Sequence, residues 1–76
     1  MNTSLFVGLC EDAGLEVYFG KGVTYVYAPG GVLVATINES IYAMYRISTY
    51  EASRGDAIRL SEIVTPYALT PIEERE

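Results

Sequence analysis

Residues 15–19, Leu15-Glu16-Val17-Tyr18-Phe19, alternate apolar and polar in the manner of a half-buried strand. Residues 23–28 are almost wholly β-formers, and Gly20-Lys21-Gly22 between the two runs predicts a hairpin with a glycine turn. Pro29-Gly30-Gly31 marks the next turn, and residues 32–37 the next strand. The apolar run Leu5 to Cys10, followed by Glu11-Asp12-Ala13-Gly14 as a turn, reads as a further short strand. The pattern thus predicts an antiparallel meander of three to four strands over residues 5–37. Beyond it the periodicity changes. Thr36 and Glu39 have capping-box spacing, with Asn38 as a rival N-cap, and residues 39–52 read as a helix. Ile41, Met44, Tyr45, Ser48 and Ala52 would share one face. A strand over 41–49 stays open, because that stretch is rich in Tyr and Ile. Leu60, Ile63, Val64 and Tyr67 then recur at i, i+3, i+4, i+7, which predicts a second helix over 56–65, capped by Asp56 and stopped by Pro66. Strands followed by one or two helices on one face give an α+β fold. Residues 1–69 form one domain, and the polar residues 70–76 read as a mobile charged tail.

Composition narrows the chemistry. Among 76 residues there is no His and one Cys. A His-based triad, a His metal site, a Cys-cluster zinc site and an internal disulfide are therefore excluded. No cofactor or metal is expected. Cys10 has no basic partner and reads as a small buried hydrophobe rather than a nucleophile. Glycines 20 and 22 lack the third glycine of a nucleotide loop. Glu11 with Glu16, and Glu73 with Glu74, read as solvated surface rather than a catalytic pair. No run reaches the ~20 apolar residues of a bilayer span, and Met1 to Ser4 carry no basic signal-peptide region. A lone thiol suits a reducing compartment, so the expected location is the cytoplasm and no membrane partner is expected. So short a chain buries only about 60 % of its unfolded surface, and without a staple it is a candidate for homodimerisation.

The net charge is −5, and the cations Lys21, Arg46, Arg54, Arg59 and Arg75 are dispersed. An acidic surface suits a protein partner with a basic patch. Glu39, Glu51, Asp56 and Glu62, with Tyr42 and Tyr50 as aromatic anchors, are the candidate protein-binding residues. Tyr25 and Tyr27, two apart on one strand, share a face with the neighbouring Tyr18 close by, and such rings can stack unpaired bases. The same rings can equally form the core beneath the helices; that reading is favoured here, since only Lys21 lies near them. Arg54-Gly55-Asp56 matches an adhesion tripeptide, and Ser53-Arg54-Gly55 could border a phosphate at a helix start; a helix-to-helix turn accounts for both.

The Leu15-Glu16-Val17-Tyr18-Phe19 strand, the glycine turn and the Tyr25-Val26-Tyr27 strand resemble the KTSC domain. This short domain occurs at the C-terminus of some lysyl-tRNA synthetases and alone in small bacterial and phage proteins. Ala52-Ser53-Arg54-Gly55 is similar to the family's A-S-K-G segment, with Arg54 at the Lys position, and Ile63 matches its later apolar position. Residues 30–37 stand as an insertion against that pattern. The resemblance implies a compact α+β fold without catalysis, and RNA or single-strand binding through Lys21, Tyr25, Tyr27, Arg46, Arg54 and Arg59. Charge and size point instead to a non-enzymatic module that binds a basic protein surface. A phage-type inhibitor of a host nucleic-acid-handling machine would be one concrete form.

Overall fold

The computed structural model describes residues 1–49 and 53–76. Helix α1 (Thr3–Asp12) leads into strands β1 (Glu16–Phe19), β2 (Val23–Ala28), β3 (Val32–Asn38) and β4 (Tyr45–Ile47), followed by helix α2 (Arg54–Ala68) and a 3₁₀ turn (Ile72–Glu74). The strands form one antiparallel sheet in the order β1-β2-β3-β4. Both helices pack on the same face of it, so the expected α+β class is the observed one.

The two hairpins stand where the alternation and the glycine turns put them. Tyr18 pairs with Tyr25, Tyr25 with Thr36, and Thr36 with Arg46, so these four form one cross-sheet row. Between Val26 and Tyr27 the register slips by one residue. This β-bulge lets the consecutive Val34 and Ala35 both turn into the core.

Residues 5–10, expected as a strand, belong to α1. Asn2 caps the helix by accepting a hydrogen bond from the Leu5 N–H at 2.9 Å. Phe6 and Cys10, at i and i+4, then share the buried stripe. The helix ends in a Schellman motif: Leu15 N–H bonds Cys10 C=O, and Gly14 N–H bonds Glu11 C=O. That geometry requires the positive φ of Gly14, +77°.

The helix expected over 39–52 is also absent from its described part. Asn38 does accept from two later N–H groups, those of Ser40 and Ile41, at 2.8 and 2.7 Å. The turn does not propagate. Ala43 adopts φ +59°, and the chain returns as β4, the strand alternative. Tyr50, Glu51 and Ala52 lie outside the described residues.

Helix α2 begins earlier and ends later than its periodicity predicts. Its N-cap is Ser53 rather than Asp56; Ser53 Oγ accepts from the Asp56 N–H at 3.2 Å. Pro66 does not stop it. A proline in a helix interior costs about 3 kcal/mol, but the next two residues, Tyr67 and Ala68, are fully buried, and their packing holds the last turn helical. The Glu62 carbonyl, which loses its partner to the proline, belongs to an exposed residue.

Residues 70–76 are not a loose tail among the described residues. Thr70 and Arg75 are buried, with Arg75 only 2 % exposed. Its guanidinium pairs with Glu39 at 2.8 Å and donates to the carbonyls of Ala68, Thr70 and Asn38. It also lies 4.9 Å over the Tyr67 ring, which stacks on Phe6. Thr3 N–H bonds the Arg75 carbonyl at 2.6 Å, so the C-terminal segment closes against the start of α1.

Candidate functional site

Strand alternation divides the sheet into two unlike faces. Val26, Val34, Ala35 and Ile37 lie beneath the helices with Phe6, Leu60, Val64 and Tyr67. The opposite face carries Glu16, Tyr18, Tyr25, Tyr27, Leu33, Thr36 and Arg46, and the two helices pack on the other side of the sheet. Tyr25 and Tyr27 are therefore not core, contrary to the favoured expectation. They sit half-buried on the open face because their strand neighbours Thr24 and Val26 take the inward positions.

The open face is ordered by its own contacts. The Tyr18 and Tyr27 rings meet edge-on at 5.5 Å. Tyr18 O–H donates to Glu16 Oε2 at 3.1 Å, and this bond to a carboxylate holds the Tyr18 phenol above its ordinary pKa. A Cβ on Gly20 would come within 2.9 Å of Tyr25 Cε2, so the glycine is what lets the Tyr25 ring lie against the turn. Tyr18 and Leu33 remain 56 % and 42 % exposed. A shallow hollow of about 320 Å³ continues the face along β3 and β4, lined by Val23, Thr36, Asn38, Met44 and Arg46.

The helical layer differs in charge. Seven of the ten acids (Glu11, Asp12, Asp56, Glu62, Glu73, Glu74 and Glu76) lie on the helices or the C-terminal segment, where the cations besides the buried Arg75 are Arg54 and Arg59. Asp56 and Glu62 are exposed. Ile58, Glu62 and Leu69 fall on one outward stripe of α2, and Ile58 and Leu69 are about half exposed. Tyr42, 53 % exposed, donates its O–H to the Leu69 carbonyl at 2.8 Å, which places it at the end of that stripe. Glu39 is not available as a surface acid. Its carboxylate is occupied by Arg75, by Thr24 Oγ1 and by Tyr67 O–H. Tyr50 and Glu51 lie outside the described residues.

Two further features complete the surface. A groove of about 420 Å³ lies between the end of α1, the β2–β3 turn and the start of α2. It is floored by Leu15, Val32, Val34 and Leu60 and edged by Asp56 and Arg59. Cys10 is fully buried, and burial, reinforced by nearby Glu11, pushes its thiol up to about 11. That is the reverse of what an activated nucleophile needs. No group of three acidic or Cys side chains among the described residues could hold a metal ion, and no helix there is long and apolar enough to cross a membrane.

The cations expected to serve nucleic acid do not converge. Arg46 stands in the Tyr18–Tyr25 row, and Lys21 is in the adjoining turn. Arg54 and Arg59 are on α2, across the sheet from that row. Glu16 is solvated surface, as its pattern predicts, and Leu33 joins it on the open face although composition alone does not mark it; alternation from Tyr18 reaches Glu16. Comparison with known proteins finds no matching family model, no matching curated protein and no matching solved structure.

Proposed function

We propose that the chain is a non-enzymatic, cytoplasmic interaction module that binds a protein partner with a basic surface. The observation that carries this reading is the charge segregation. Exposed acids crowd the helical layer, and the exposed apolar residues Ile58, Leu69 and Tyr42 lie among them. Apolar anchors inside an acidic rim suit a cationic partner, with the charges steering association and the anchors slowing dissociation. Occupation of a basic, nucleic-acid-handling surface of another protein is the concrete form of this function.

The test is capture of partners from nuclease-treated lysate by the tagged chain at low and moderate salt, repeated with two variants. Glu62→Lys should slow association and flatten its salt dependence. Tyr42→Ala should speed dissociation with little effect on association. A captured protein indifferent to both substitutions would refute the acidic helical surface as its binding site. A nucleic-acid reading is favoured by one observation, the uncovered Tyr18, Tyr25 and Tyr27. It is weakened by having only Lys21 and Arg46 beside them, against Glu16 on the same face. Retention of single-stranded RNA, lost on Tyr25→Ser with Tyr27→Ser, would establish it instead.

A further inference from the structure

We infer that the open sheet face is where a second copy of this chain docks, through a two-fold interface in which β1 of one copy lies over β4 of the other. Glu16 and Arg46 carry opposite charges on this one face, at opposite edge strands that lie about 14 Å apart at ~4.8 Å per strand. A two-fold axis running along the strands, in the plane between two such faces, exchanges the edges. Glu16 of each copy then shares an edge with Arg46 of the other, and symmetry makes the two pairs simultaneous. Arg46 belongs to the Tyr18 row and Glu16 lies one pleat repeat along, about 7 Å, within the reach of an arginine side chain. Tyr25, Tyr27 and Leu33 fill the centre between these pairs, and Tyr18 stands beside Glu16 at the edge facing Arg46 of the other copy, the amphipathic composition that interface cores favour.

Charge also says which face pairs. Two helical layers would each bring seven acids against only Arg54 and Arg59, whereas the sheet face holds one acid and one base and leaves the acidic layers pointing apart. The area is sufficient. A stable interface takes about 800 Å² from each copy, about a sixth of the 4839 Å² this chain exposes. One face of a sheet in a molecule with extents of 33 × 20 × 17 Å is comparable with that. The pairing does not depend on the proposed binding of a basic partner, which uses the opposite layer.

The test is sedimentation velocity of the full chain across the micromolar range, with circular dichroism to verify folding of each variant. The wild type should sediment as a concentration-dependent dimer. Arg46→Glu and Glu16→Arg should each weaken it about tenfold or more, and the two together should restore it, since the swap rebuilds the pair in reverse. Tyr27→Ser should leave a folded monomer. A wild type that stays monomeric throughout, or a dimer indifferent to Arg46→Glu and Tyr27→Ser, overturns the inference. A monomer that instead retains a uridine-rich oligonucleotide on this face also overturns it, in favour of nucleic-acid binding.

Discussion

Arg75 donates to three backbone carbonyls and one carboxylate while almost wholly removed from water. Removing Arg75 leaves the partly buried Glu39 carboxylate and three carbonyls without their donor, at a cost of about 3 kcal/mol. Arg75→Ala should therefore lower the urea midpoint sharply, and Arg75→Lys should recover little, since an ammonium cannot span the same acceptors. Cys10 gives a second test at this scale. Its folded pKa, about 11, lies above the ordinary 9.0, and burial also raises Tyr67, despite an opposing hydrogen bond with Thr3. A raised acid stays protonated longer in the folded chain than in the unfolded one. Its contribution to stability is complete below the unfolded pKa and is lost as pH rises through the folded value. Denaturation midpoints should fall from about pH 9 to 11, and Cys10→Ala should flatten the first part of that fall. In the native protein at neutral pH, Cys10 should resist thiol reagents, which urea exposes it to. The composition made the buried thiol legible. Nothing in it marked Arg75, because a lone cation among acids in a polar tail becomes structural only through its acceptors, of which the Glu39 carboxylate comes from 36 residues away.

At the scale of elements, local signals succeeded where neighbours agreed with them. Both predicted hairpins formed because glycine turns and β-rich runs specify the same geometry. The sequence misled at α1, where an apolar run of β-formers outweighed the quieter signs, Asn2 as cap and Phe6 with Cys10 at helical spacing. It misled again at 39–49. A strong capping signature there closes only an Asx turn, and pairing of Tyr45–Ile47 with β3 supersedes helix formation. Two substitutions test the ends of the helices. Gly14→Ala places a Cβ in the left-handed region, and it should destabilise the fold by about 1 kcal/mol. Ser53→Ala should cost a similar ~1 kcal/mol through the lost cap of α2. Chemical denaturation of each variant measures both; no loss on Gly14→Ala would mean that α1 ends differently.

For the whole molecule, the α+β class followed from the order of patterns along the chain, but the sidedness did not. Periodicity places Tyr25 and Tyr27 on the same face without saying which face meets the helices. That choice shows in Thr24 and Val26, which are fully buried beneath the helical layer, and in the bulge that turns Val34 inward. Charge segregation likewise needed the fold, since the acids are spread along the sequence and gather only once both helices share a side. Removal of residues 71–76 should behave as a core mutation rather than the trimming of a tail. It should unfold the chain at moderate temperature in a thermal melt, because the Glu39 carboxylate and the Tyr67 ring lose their cation together.

The two ends of the chain meet through that same corner, with the Met1 ammonium 2.9 Å from Thr70 Oγ1 and Thr3 bonded to Arg75. A polypeptide whose ends leave from one point can be spliced into a surface loop of an unrelated carrier without prying the loop open. It can also be closed head to tail by a few added residues and reopened at Gly30-Gly31, at the far end of the β2–β3 hairpin.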